Sequence, residues 1–319
     1  MGSGAAFAPS DGGGRDAYET RFAVIGDIMI ECILRDAPPG TTWVCDPGDF
    51  ALGGPAINVA WHLTHLDRRS RVIGCIGDRD QAILKTFADA GVDISQVILQ
   101  SGASDQLVAV VTKGIHRSVY IRASISDAIY GLMIDACHGA EYIVLNGSRH
   151  PRLRRGFAQL AASTSAFVAF NPSYAVFTYD PHELDAVITA SRLTILNETE
   201  TEFVCERLAA RGAEELSRRF GECVVTTLGD RGAIIYRDGR SSRIPSVSGT
   251  KGDVLGAGDA FLAGLLIEMA AGQSVENAGR FAAALASVVV TSGEIRPPTD
   301  SVTLQRYIKE RQAAIEHRF

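Results

Sequence analysis

The sequence predicts an α/β fold, a sandwich of helices around a mostly parallel sheet. Short β-branched runs recur along the chain, segments with helical spacing of apolar residues separate them, and no repeat of fixed period is present. With 319 residues, 46% hydrophobic and 21% charged, the chain has room for one large core.

In chain order, residues 1–20, "MGSGAAFAPSDGGGRDAYET", are rich in glycine, serine and alanine without an apolar period. They are expected to form a flexible lead outside the fold, leaving 21–319 as the folded domain. "FAVIG" (Phe22–Gly26) reads as the first buried strand. The alternation then breaks: Cys32–Leu52, with its prolines, glycines and Trp43, fits an excursion of short strands better than a helix. "AINVAWHLTHL" reads as helix, "RVIGCIG" (Arg71–Gly77) as strand and "QAILKTFADAG" as helix. "LVAVVTKGIHRSVYI" (Leu107–Ile121), with a turn at Lys113 and Gly114, is a second β ribbon that could pair with the first. Ribbons over about 32–52 and 107–121 would make a small lid; ordinary edge strands of the main sheet are the alternative. "YIVLNG" (Tyr142–Gly147), "FVAFN" (Phe167–Asn171), "LTILN" (Leu193–Asn197) and "CVVTTLG" (Cys223–Gly229) complete the strands, with the helical "PRLRRGFAQLAAS" after the first of them. Ligands of such a sheet gather at the carboxyl ends of its strands.

Composition excludes several classes. The net charge is −6 and the pI about 5.7, so the molecule as a whole has no electrostatic reason to bind nucleic acid or an anionic membrane. The basic cluster "HLDRRSR" fits a solvated surface. Six cysteines without a C-x-x-C pair suggest neither a zinc site nor a disulfide framework. No apolar stretch reaches the roughly 18 residues of a membrane span, and the amino terminus lacks the pattern of a secretion signal. A cytoplasmic enzyme or binding protein is the expectation.

The chemistry concentrates in "KGDVLGAGDAFLAG" (Lys251–Gly264). Gly256 and Gly258 allow a tight turn whose amides, with those of the following helix, would favour a phosphate. A carboxylate there, Asp259, would be costly beside a polyphosphate unless it takes a proton from an attacking hydroxyl. Taken alone, the same string also fits a capped helix. "LGGPAINVAW" again sets two glycines, Gly53 and Gly54, before a helix, with Asn58 one turn in; its amide suits a sugar hydroxyl and equally a cap. "LNETE" places Asn197 and Glu200 at a strand end, where oxygens could hold hydrated magnesium. "TLGDRGAIIY" puts Thr227, Gly229 and Gly232 in a turn between strands, as a simple hairpin would. His62 and His65 lie three apart, but no carboxylate or cysteine completes a metal set.

These four segments, in this order, resemble the PfkB (ribokinase-like) family of carbohydrate and nucleoside kinases, over about residues 22–312. Gly53, Gly54, Ala56, Asn58, Ala60 and Gly77 match the first family signature, with Asp67 standing where Gly or Ser is usual. Asp253 to Leu266 match the second, with Val254 in place of the common Thr. The resemblance implies a ribokinase-like three-layer α/β/α sandwich with a small β lid. It implies Asp259 as catalytic base and Gly256, Ala257 and Gly258 as an anion hole. Asn197 and Glu200 would orient magnesium and the nucleotide phosphates through water, and Thr227 and Gly229, with Gly232 in the same turn, would contact ATP. Asp253 and Leu255 are candidates for a monovalent cation site such as potassium, whose other half would fall near "VTSGEIRPP". For the acceptor, Asp27, Glu31, Gly54 and Asn58 are the candidates; Glu31 in "GDIMIE" stands where many members carry Asp, and Asp27 and Glu31 could instead face solvent. The implied activity is ATP-dependent phosphorylation of a hydroxymethyl group on a small sugar or sugar-like polyol. A nucleoside kinase and a non-catalytic sugar- or nucleotide-binding protein are the alternatives. Dimerisation through the lid strands is common in the family.

Overall fold

The computed structural model describes residues 22–35, 50–112, 115–123, 127–247, 255–297 and 300–316. Trp43, the Lys113–Gly114 turn and Asp253 lie outside the described residues. The first half runs β1 (Phe22–Ile25), β2 (Met29–Arg35), β3 (Phe50–Gly53), α1 (Pro55–His65), β4 (Ser70–Gly77), α2 (Gln81–Asp89), β5 (Asp93–Gln100), β6 (Asp105–Thr112), β7 (Ile115–Ile121) and α3 (Asp127–Asp135). Next come β8 (Tyr142–Asn146), α4 (Pro151–Ser163), β9 (Phe167–Asn171), α5 (Pro181–Ala190), β10 (Leu193–Asn197), α6 (Glu198–Arg207), α7 (Ala213–Arg219) and β11 (Cys223–Thr227). The chain ends with β12 (Ala233–Arg237), β13 (Arg240–Ile244), α8 (Ala257–Ala270), α9 (Val275–Ser292) and α10 (Ser301–Glu316).

Among the described residues nine strands form one sheet in the order β13, β12, β11, β10, β9, β8, β1, β4, β5. Pairing is parallel from β11 through to β5, and β12 and β13 add on antiparallel. The strands β1, β8 and β9 are buried along their whole length, which is why each reads as a continuous apolar run. Their side chains serve two cores by turns. Phe22 and Val24 of β1 and Tyr142 and Val144 of β8 join a core with α1, α2, α8, α9 and α10. Ala23, Ile25, Ile143 and Leu145 join the other, with α3 to α7. The period of two along each strand thus produces three layers.

A second sheet of four strands, in the order β3, β2, β6, β7, stands beside the first. It begins earlier than its sequence signals suggest, β2 at Met29 and β6 at Asp105. The link between its two ribbons is the parallel pairing of β2 with β6 from Met29/Asp105 to Arg35/Val111. Its outer strand β7 exposes Val119 and Ile121.

Helix α8 fixes the polar end of the molecule. Leu262, Leu265 and Leu266 on it are all fully buried, and it packs on α1 and α9. A helix apolar on every side belongs in the interior. Burying each such side chain stabilises the fold by about 1.5–3 kcal/mol, so α8 cannot slide without large loss. Its amino end, with Ala257, Gly258 and Phe261, lines a cavity at the ends of β10 and β11 together with Asn197 and Thr227. No helix among the described residues is long and apolar enough to cross a membrane.

Candidate active site

The polar residues of the site sit where apolar strands end. Asp27 follows β1, Ser148 follows β8, and Asn197 and Thr227 close β10 and β11. Gly256, the residue before α8, is left-handed (φ 78°), and a Cβ there would come within 2.6 Å of Ile295 Cγ2. Only glycine allows this approach. It leaves the first amides of α8 without helical acceptors, with Ala257 and Gly258 in the wall of a cavity.

That cavity measures about 700 Å³ and brings together four of the expected nucleotide residues, Asn197, Thr227, Gly229 and Gly232, with Ala257 and Gly258. Val247, Phe261 and Val290 supply apolar wall. Asn197 and Glu200 also form the capping box of α6: Asn197 Oδ1 accepts Glu200 N–H at 2.9 Å, and Glu200 Oε2 accepts Asn197 N–H at 2.9 Å. The group Asn197 has left for the cavity is its NH2, a donor suited to a phosphate oxygen. Glu200 is buried, and burial pushes its pKa up to about 7, with the Asn197 N–H opposing. A buried carboxylate with one oxygen uncommitted is the kind of hard donor that magnesium takes, so the pair fits the metal, Glu200 better than Asn197. Leu255 lies just ahead of Gly256; its partner in the expected monovalent cation site, Asp253, is outside the described residues.

Asp259 lies in the first turn of α8, beside Gly258 and half-buried. Its Oδ2 accepts from Asn58 Nδ2 at 2.9 Å. Burial raises its pKa to about 7; the Asn58 hydrogen bond lowers it, Glu31 raises it, Arg296 lowers it and Glu200 raises it. Beyond Asn58 is the expected acceptor basin. Gly54, at φ 102°, caps α1 with a Cβ position only 2.6 Å from Asp27 O, and its N–H is bonded to Glu31. Glu31 is buried; desolvation raises its pKa while Arg296 and the Gly54 N–H lower it. Neither Glu31 nor Asp27 faces solvent.

Asp27 is wrapped by the protein's own donors. Ser148 Oγ–H, Arg149 N–H at 3.2 Å and Tyr174 O–H at 3.5 Å donate to it, and the Tyr120 hydroxyl lies 3.3 Å away. Burial raises its pKa, with His150 lowering and Asp105 raising it. Tyr120 gives its one hydroxyl proton to Asp105, the nearer of the two carboxylates, and Asp105 pairs with His150 Nε2 at 2.9 Å. These contacts tie β6 and β7 of the small sheet to the ends of β1 and β8. Asp27, Asp105 and His150 are close enough to share an ion, but hydrogen bonds already occupy them.

Sequence reasoning missed Arg296. Its Nη1 donates to Asn58 Oδ1 at 2.7 Å and its Nη2 to Leu52 O at 2.8 Å. It lies in "GEIRPP", a loop with no local pattern to mark it.

With this geometry in place, the profile of the pfkB family carbohydrate kinases matches residues 19–301. The chain belongs to the pfkB family of carbohydrate kinases. The chain is 27% identical to the bifunctional protein HldE of Azorhizobium caulinodans, over 89% of its own length and 65% of that protein's. It therefore spans just under two thirds of that curated relative. In fold it matches a nucleoside kinase of Burkholderia thailandensis in complex with inosine, at a TM-score of 0.81, 18% identity and coverage of 92% of this chain and 98% of the other. It matches likewise the ribokinase of Arabidopsis thaliana complexed with ribose and ATP, at a TM-score of 0.71, 19% identity and coverage of 91% and 99%. The three-layer fold is thus that of ribokinase-like enzymes.

Proposed function

We propose that this kinase transfers the γ-phosphoryl group of ATP to a hydroxymethyl group of a small sugar or sugar-like polyol. One observation carries the reading: Asp259 stands between the cavity walled by Ala257 and Gly258 and the basin of Asn58, Gly54 and Glu31. ATP occupies the cavity with its base against the apolar wall and its γ-phosphate at the amides of Gly256, Ala257 and Gly258. The acceptor lies beside Asn58, Glu31 and Gly54, with Asp27 beneath it. As the acceptor oxygen bonds to the γ-phosphorus, its proton passes to Asp259 and ADP leaves with the electrons of the broken P–O bond. A base with a pKa of about 7 is matched to this task near neutral pH. The helix amides stabilise charge on the moving phosphoryl group. Bound magnesium, held by Glu200 and Asn197 through water, would neutralise charge on the phosphates; potassium at Asp253 and Leu255 would add to the same field. The small sheet acts as a lid that excludes competing water. Its exposed β7 edge, with Val119 and Ile121, supports a homodimer joined through these strands.

A nucleoside acceptor is the second reading. It is favoured by Tyr120 and Tyr174, whose ring centroids lie 5.9 Å apart with Arg149 over both at 4.7 and 4.9 Å, beside Asp27. ADP release measured with a panel of sugars, polyols and nucleosides separates the two. Turnover with polyols alone supports the first reading, and turnover with nucleosides alone replaces it. No ADP release with any alcohol would favour a binding protein instead.

A further inference from the structure

We propose that Arg296 is a positioning residue, whose guanidinium orients the Asn58 carboxamide and, through it, the carboxylate of Asp259 for the transfer step. This inference rests on the reading of Asp259 as the base.

A carboxamide can present either its oxygen or its NH2 in a given direction, since the two ends have nearly the same shape. At Asn58 the choice is forced. A guanidinium has donors only, so the end that faces Arg296 Nη1 at 2.7 Å has to be oxygen. Nδ2 then points the other way and donates to Asp259 Oδ2 at 2.9 Å. Turned over, the amide would set NH2 against a cation and oxygen against a carboxylate. Buried as Asn58 is, both contacts would be strongly unfavourable. With Arg296 gone, the amide loses the partner that holds its oxygen side.

Arg296 is itself held at several points. Nη2 donates to Leu52 O at 2.8 Å at the end of β3, and the guanidinium lies 4.9 Å from the Phe87 ring centroid on α2. The preceding carbonyl, Ile295 O, is bonded to His62 Nε2 at 3.1 Å. Burial lowers the pKa of His62 to about 3, so its ring is neutral and donates this bond from Nε2. One polar chain therefore links β3, α1, the loop after α9 and the first turn of α8.

Arg296 also sets the charge balance. Asp259 feels Glu31 from β2 and Glu200 from α6, both opposing its ionisation, and Arg296 favouring it. Arg296 in turn faces Glu31, Asp259 and Glu294, with His62 beside it on α1. Removing the cation leaves two carboxylates acting on the base. An Asp that loses a nearby Arg rises by about 1–3 pH units in its titration.

The test is the pH dependence of kcat for Arg296→Gln, Arg296→Lys and Asn58→Ser, with circular dichroism to confirm folding and Asp259→Asn alongside. In Arg296→Gln and Asn58→Ser, the acid limb of kcat should move up by about 1–2 pH units, turnover at pH 7 should fall ~10-fold, and most of it should return near pH 9. In Arg296→Lys, which keeps the charge, the limb should stay within about half a pH unit of wild type. An unmoved limb in Arg296→Gln, or equal loss at every pH in all folded variants, overturns the proposal. Turnover by Asp259→Asn would instead overturn the assignment of the base, whatever Arg296 does.

Discussion

Glu200→Gln separates what this carboxylate costs from what it does. Glu200 is buried in the capping box of α6, and its pKa rises from an ordinary 4.5 to about 7 because burial disfavours its charge. The folded value lies above the unfolded one, so the folded state holds the proton more tightly. The stability this contributes is complete below pH 4.5 and is lost as the pH rises through 7. At about 1.4 kcal/mol for each pH unit, the loss comes to about 3 kcal/mol. Glutamine keeps an oxygen for the Asn197 N–H and carries no charge. The variant should match wild type at pH 4 and exceed it by ~1–3 kcal/mol at pH 8, allowing for incomplete transfer of the hydrogen bond. Urea unfolding with a metal chelator, at both pH values, reads this directly. Turnover should meanwhile fall at least ~10-fold, as when stability is gained at a working site. A variant no more stable than wild type at pH 8 would refute the reasoning, because the ionised carboxylate would then carry no burial penalty.

Two other substitutions address the two halves of the site. Ala286→Trp should fill the cavity beside Ser287 and raise the KM for nucleotide at least ~10-fold while leaving acceptor KM within about threefold; an unchanged nucleotide KM would place ATP elsewhere. Tyr120→Phe removes the hydroxyl shared by Asp27 and Asp105, and should destabilise the protein by ~1–3 kcal/mol in thermal unfolding. It should also raise acceptor KM several-fold with nucleotide KM unchanged, and an acceptor KM equal to that of wild type would remove the small sheet from acceptor binding.

What the sequence makes legible follows from how locally each feature is encoded. The strands β1, β8, β9, β10 and β11 are visible because burial on both faces demands consecutive apolar residues. At the edge, β5 carries the mixed string "DISQVILQ" with exposed positions, and no strong period marks it. The cavity residues Asn197, Thr227, Gly229, Gly232, Ala257 and Gly258 could be named from motifs, since each lies at an element end with a glycine or cap signature. The Asn197–Glu200 spacing is also a capping-box pattern, and the structure shows that use of the same two side chains. The saturation of Asp27 depends on groups up to 147 residues away, and Arg296 meets Asn58 across 238. Such pairings exist only once β2 has paired with β6 and α8 has packed on α1.

The central claim, that Asp259 takes the acceptor proton, is tested most directly by Asp259→Asn, with turnover measured by ADP release and nucleotide affinity by calorimetry. The account predicts a fall in kcat of at least ~100-fold with ATP affinity within about threefold of wild type, since asparagine keeps the shape and loses the base. Near-normal turnover in this variant would contradict it.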